Sequence, residues 1–212
     1  MVDVEVRAIL FDMDGTLVDS TAMVEAMWTE FAVANGVDPR DVISFAHGRP
    51  SRDTIAKFAA HASDTDHWLT TIGAWEEDRF DDVAQIPGAR ALVAAVPEGQ
   101  WAIVTSALHG PARRRLEAVG FPSPAVLIGA DDVVEGKPSP EGYLAAAAVL
   151  GVPPEQCLVF EDTEAGLAAG RAAGCTVVAV GDQATASMRV ASLTEVSVEV
   201  VGQKLRVTLN RA

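Results

Sequence analysis

The chain has 212 residues, 49% of them apolar, and carries 16 basic against 30 acidic side chains for a formal charge of −14. That is enough apolar chain for a full hydrophobic core, and the acidity argues against nucleic acid or anionic membranes as partners, since both are bound through basic patches. No apolar run approaches bilayer-spanning length, and Met1-Val2-Asp3-Val4-Glu5 has neither the basic nor the apolar region of a signal peptide, so a cytoplasmic protein is expected, monomeric or weakly homo-oligomeric. Cys157 and Cys175 lack metal-ligand spacing and adjoin apolar runs, which predicts buried free thiols. Lysine is scarce, with Lys57, Lys137 and Lys204 set against thirteen arginines, so each lysine is a candidate for a role that needs a compact ammonium.

In chain order, Val6 to Phe11 reads as a strand that empties into Asp12-Met13-Asp14-Gly15-Thr16. The next run of buried-strand character is Trp101 to Thr105, much farther on than a crossover helix requires, so a segment has been inserted. Its pattern is helical over Ala22–Ala34, Arg40–Ala46, Ser51–Ala60 and Trp68–Phe80, which predicts a helical cap over residues 18–84. A further helix, Ala89–Val96, follows Pro87-Gly88. From Trp101 the patterns alternate. Strands are predicted at Trp101–Thr105, Val126–Ile128, Leu158–Phe160 and Thr176–Val180, with helices at Pro111–Val119, Pro140–Leu150 and Glu164–Ala173 between them. The fold class is therefore α/β, a parallel sheet covered on both faces, formed by residues 1–17 and 85–212. Val196–Val200 and Lys204–Leu209 alternate around Gly202-Gln203 like a hairpin.

Ligands of such sheets gather at the carboxyl ends of the strands. Four loops there carry chemistry: Asp12 and Asp14 after the first strand, Thr105 and Ser106 after the second, Lys137 in Gly136-Lys137-Pro138, and Glu161-Asp162 after Leu158-Val159-Phe160. Each residue type suits one part of phosphoryl transfer. Asp12 can attack phosphorus, while Asp14 protonates the leaving alcohol and then deprotonates the attacking water. Thr105 and the Ser106 amide can donate to phosphoryl oxygens, and Lys137 can neutralise charge shared by nucleophile and phosphate. Asp12, Asp162 and the Asp14 carbonyl make a hard oxygen site suited to Mg²⁺, with Glu161 as a direct or water-mediated ligand.

Taken in order, these strings resemble the haloacid dehalogenase superfamily: Asp12-Met13-Asp14-Gly15-Thr16, Thr105 after an apolar strand, Lys137 before proline, and Phe160-Glu161-Asp162-Thr163-Glu164-Ala165-Gly166. The resemblance implies a Rossmann-like core with a mobile helical cap inserted after the first motif. It also implies that Asp14 marks phosphatases and phosphomutases, since members that dehalogenate or cleave phosphonates lack an acid there. His47-Gly48-Arg49, Trp101-Ala102-Ile103-Val104-Thr105-Ser106 and Ala130-Asp131-Asp132-Val133 look most like the glycerol-3-phosphatase and 2-deoxyglucose-6-phosphatase branch, implying a small polyol or sugar phosphate as substrate. Two departures fall where a leaving group would touch protein. Ala107-Leu108 stands where that branch usually has Gly-Thr, and Pro50 occupies a position often basic.

Simpler roles compete. Asp12 and Asp14 fit an ordinary turn, Glu161-Asp162 could cap the following helix, and Lys137 could be a solvated loop residue. His47, Arg49 and Arg52 either line the underside of the cap to bind substrate or are solvated charges before a helix. Arg113-Arg114-Arg115 is expected as a surface helix face, Trp28, Trp68 and Trp75 as cap core, and His61, His67 and His109 show no ligand spacing. Two functions compete with a phosphatase: a sugar phosphomutase like β-phosphoglucomutase, which needs extra cap donors where Lys57 is the only cap lysine, and a non-catalytic phosphometabolite-binding protein of the same fold.

Overall fold

The computed structural model describes residues 1–79, 82–182, 184 and 186–210. Strand β1 (Val2–Val6) stops at Arg7, and β2 (Ala8–Phe11) begins a different sheet. The strand expected from Val6 to Phe11 is thus divided, for a reason written in its residues. Val2, Val4 and Val6 alternate with Asp3 and Glu5, as suits a strand with one wet face, whereas Ala8-Ile9-Leu10-Phe11 is buried on both faces. Strand β3 (Val18–Asp19) leads out to helices α1 (Thr21–Asn35), α2 (Pro39–Ala46), α3 (Ser51–Phe58) and α4 (Thr65–Asp78), and β4 (Ala84–Gln85) leads back. β3 and β4 pair antiparallel at the two crossings, Val18 with Gln85 and Asp19 with Ala84. The four helices enclose a core of their own around Met27, Trp28, Phe31, Val42, Ile55 and Ile72, with Trp68 and Trp75 packed against it. Phe80, expected to close the last of these helices, lies outside the described residues.

The remainder alternates as expected: α5 (Ala89–Ala94), β5 (Trp101–Val104), α6 (His109–Ala118), β6 (Leu127–Ile128), α7 (Glu141–Leu150), β7 (Cys157–Glu161), α8 (Glu164–Ala172), β8 (Thr176–Val180) and β9 (Arg189–Val190). The main sheet is wholly parallel in the order β6-β5-β2-β7-β8-β9, with β2 between β5 and β7. Its side chains divide by the period of a strand. Ile9, Phe11, Ile103 and Phe160 face α5, α6 and the small sheet, while Ala8, Leu10, Val104 and Val159 face α7 and α8. The small sheet, ordered β1-β11-β10, is completed by β10 (Val196–Val201) and β11 (Lys204–Leu209), joined through Gly202-Gln203 as predicted. Leu205, Val207 and Leu209 pack it onto the main sheet. Both cysteines are buried and free. Among the described residues no helix is long and apolar enough to cross a membrane.

Candidate active site

Phe11 pairs with Ile103 on one side and Phe160 on the other, so β2, β5 and β7 end level. The loops that follow share one edge. Asp12 is the first residue past β2, and its N–H still donates to the Phe160 carbonyl at 3.0 Å. Met13 turns its side chain into the core while Asp12 and Asp14, on either side of it, both line the cleft above the sheet. Gly15 makes that turn possible with φ +87°, a region that an L side chain enters only with strain. A Cβ there would also lie 2.0 Å from Asp162 Oδ2, so the backbone of the first loop rests against the carboxylate of the fourth.

Lys137 is buried beneath this edge. Its ammonium uses three donors, bonding Asp12 Oδ1, Glu161 Oε1 at 2.6 Å and the Val104 carbonyl at 3.1 Å. Burial opposes its charge, but the Asp12 and Glu161 carboxylates outweigh that and hold its pKa above the ordinary lysine value. Glu161 is wholly buried and fully engaged. Oε1 also accepts from Tyr143 Oη at 3.2 Å, and Oε2 accepts from Thr163 N–H at 2.9 Å and Thr163 Oγ1 at 2.8 Å. The cap of α8 is Thr163, whose hydroxyl accepts from Gly166 N–H, rather than Glu161 or Asp162.

Asp12, Glu161 and Asp162 each offer an oxygen within 4.8 Å of the others. Three carboxylates around one ammonium leave excess negative charge in a dry place. Burial pushes the Asp12 carboxyl up to about 8, Lys137 opposing and Glu161 adding to the rise, and burial with the charge of Asp12 holds Asp162 well above the usual range. An all-oxygen donor set with uncompensated charge fits a hard divalent cation. Asp12 and Asp162 have oxygens to give it, whereas both Glu161 oxygens already serve Lys137, Tyr143 and Thr163.

Thr105 is buried past β5, and its hydroxyl accepts from Ala107 N–H at 3.1 Å. Ser106 Oγ donates to the Gly48 carbonyl at 3.0 Å, joining the sheet edge to the loop between α2 and α3. His47 and Arg49 line the same cleft from above, Arg49 stacked on Phe45 at 4.6 Å. Arg52 does not join them. From the first turn of α3 it donates to the Val134 carbonyl at 2.7 Å, and it lines a neighbouring pocket together with Ser51, Glu76 and Ser106.

The expectation of a solvated arginine face on α6 is corrected at one position. Arg113 and Arg114 are exposed, but Arg115 is 2% exposed and its Nη1 lies 3.0 Å from both oxygens of Asp14. Its other terminal nitrogen faces Glu76 of α4 at 3.5 Å, and Ser20 Oγ donates to Asp14 at 2.5 Å. A signal was available in the sequence: Arg115 falls three residues after Ala112 and beside Leu116, on the apolar stripe of its helix rather than opposite it. His109, set aside for want of ligand spacing, meets Asp132 at 2.5 Å and pins the loop after β6.

Parallel strands delivering paired aspartates, a buried lysine and a second acidic loop to one edge define a class of hydrolases. Residues 6–174 match the haloacid dehalogenase-like hydrolase family, and the chain belongs to it. Among individual proteins it is 39% identical over 178 residues to hexitol phosphatase A of Escherichia coli (strain K12), covering 82% of each chain. It is 35% identical over 187 residues to glycerol-1-phosphate phosphohydrolase 1 of Saccharomyces cerevisiae (strain ATCC 204508 / S288c), covering 83% of this chain and 75% of the relative. The structure of CbbY from Rhodobacter sphaeroides in complex with phosphate superposes with a TM-score of 0.71 at 26% identity, covering 90% of this chain and 96% of the other.

Proposed function

We propose that the chain is a Mg²⁺-dependent phosphatase that hydrolyses small sugar or polyol phosphates through an aspartyl-phosphate on Asp12. The observation that carries this reading is the meeting of Asp12, Asp14, Lys137 and Asp162 from three loops at one sheet edge. The names of the relatives, phosphatases of hexitol and glycerol phosphates, support the substrate class. Asp12 attacks phosphorus, with Lys137 fixing its inner oxygen so that the outer one points into the cleft. Asp14 gives its proton to the departing alcohol oxygen and later removes one from the attacking water. Thr105 and the Ser106 amide hold phosphoryl oxygens, and His47 and Arg49 face the substrate's other end. Asp12, Asp162 and the Asp14 carbonyl would hold Mg²⁺, with Glu161 bearing on it through Lys137 or a water. The cation supplies charge neutralisation that lets an anionic nucleophile approach an anionic ester.

We infer further that residues 1–17 and 85–212 form the catalytic unit and 18–84 a cap that hinges on the β3–β4 ribbon. The separate core of the four helices supports that division. Hydrolysis is favoured over phosphomutase chemistry because Lys57, the cap's lysine, lies over the rings of Phe45 and Phe58 at 3.7 and 5.0 Å instead of lining the cleft. A cytoplasmic enzyme with no nucleic-acid or membrane partner, monomeric or weakly homo-oligomeric, completes the reading, and the charge of −14 supports it.

The test is a panel of phosphorylated polyols, sugars, phosphoglycolate and nucleoside monophosphates assayed for phosphate release with Mg²⁺ and with excess EDTA. Polyol or sugar phosphates should rank first by kcat/KM, and EDTA should abolish turnover. Preference for nucleotides, or full activity in EDTA, would contradict the substrate class or the metal respectively.

A further inference from the structure

Arg115 is a buried cation at the cleft to which the reaction above gives no task. Core helix α6 brings it to Asp14 and cap helix α4 brings Glu76 to its other side, while Ser51 Oγ donates to the same Glu76 oxygen at 3.3 Å. The guanidinium Nε–H is buried without a partner among the described residues, so the side chain is held there at a cost by its two carboxylates.

We propose that Arg115 is the positioning residue of Asp14 and that Glu76 is the counter-ion that holds Arg115 there. The inference rests on the phosphatase reading, in which Asp14 alternates between acid and base. In the first half-reaction a bond forms from an Asp12 oxygen to phosphorus as the bond from phosphorus to the alcohol oxygen breaks, and the Asp14 proton passes to that oxygen. In the second, the water oxygen bonds to phosphorus as the Asp12–phosphorus bond breaks, and a water proton returns to Asp14. Glu76 meets the far side of the guanidinium, so Arg115 faces a carboxylate on each side, and its Nη1 is held 3.0 Å from both Asp14 oxygens.

Arginine suits the task where lysine does not, because its planar fork reaches two carboxylates at once and cannot give up its own proton. Since Glu76 and Ser51 belong to the helical lobe, the device is complete only when that lobe sits against the sheet edge. Acid catalysis is thereby tied to a seated cap through named side chains.

A comparison of leaving groups tests this. Arg115→Met keeps the bulk and removes the charge, and kcat/KM is read for p-nitrophenyl phosphate, whose leaving group departs without a proton, and for the aliphatic ester the wild type turns over best. Misplacing the acid should lower the aliphatic value about 100-fold and the aryl value less than about 5-fold. Glu76→Gln, which keeps the side chain's shape and removes its charge, should split the two substrates in the same direction by about 10-fold. Arg115→Lys should recover only part of the loss. Equal losses on both substrates, in Arg115→Met or in Glu76→Gln should the former fail to fold, would overturn the proposal. An unchanged Glu76→Gln would overturn the counter-ion. Absence of aliphatic turnover in the wild type would instead overturn the phosphatase reading itself.

Discussion

Lys137 is the residue on which the site's charge balance turns. Two carboxylates that it touches, Asp12 and Glu161, are buried with it, at 5% and 0% exposure against its own 5%. Replacing it with methionine of similar length strands both. Breaking a buried ion pair costs about 3 kcal/mol, so Lys137→Met should melt roughly 10 °C below the wild type at neutral pH and lose phosphatase activity by at least about 100-fold. A thermal melt and one rate measurement check both; a variant as stable as the wild type would mean that Asp12 and Glu161 do not depend on this ammonium. At this scale the sequence was highly legible where a residue sits in a motif. Asp12, Asp14, Thr105, Lys137 and Asp162 all reach the edge expected of them, because strand ends in a parallel sheet are placed by the strands. Arg115 and Glu76 were not read. They are far from any motif, and only the packing of α4 against α6 brings them together.

At the scale of elements, α8 is the helix that ties fold to site. Thr163 caps it by accepting from Gly166 N–H at 3.1 Å, and the same hydroxyl donates to Glu161, the partner of Lys137. Thr163→Ala should cost about 1 kcal/mol for the lost cap, lowering Tm by roughly 3 °C, and should lower kcat more than KM because Glu161 loses a donor. Melting and steady-state kinetics on one preparation check this; a change in KM alone would place Thr163 in substrate binding. The elements that hydropathy missed share a physical cause. β3, β4 and β9 are two residues long, too short to carry a period, and β1 is not legible because Asp3 and Glu5 interrupt its valines, leaving only Val6 within the strand expected from Val6 to Phe11. The β10–β11 hairpin was legible because a glycine turn fixes its register.

At the scale of the whole molecule, the helical lobe and the sheet edge meet through glycines. A Cβ on Gly136, one residue before Lys137, would fall 2.1 Å from Pro50 Cγ, and one on Gly48 would fall 2.5 Å from Thr163 Oγ1. Gly136→Ala should therefore hold the lobe off the edge, lowering kcat/KM about 10- to 100-fold with little change in melting temperature. Adding Pro50→Gly should restore the rate, since it removes the atoms the new methyl meets. Failure of that rescue would show that the loss comes from Lys137 and not from the seam. That helices stand between the first two main-sheet strands is legible from the distance between those strands and the helical pattern in it, but how they seat is not, because seating depends on contacts such as Ser106 with Gly48 that join distant parts of the chain.

The role proposed for Asp12 as nucleophile is tested most directly by phosphate release from Asp12→Asn beside the wild type, on the best aliphatic ester of the panel with saturating Mg²⁺. An amide of the same shape keeps the fold but cannot attack phosphorus, so turnover should fall at least about 1,000-fold while the circular dichroism spectrum stays unchanged. Turnover within a few-fold of wild type would contradict the account and remove Asp12 from the reaction.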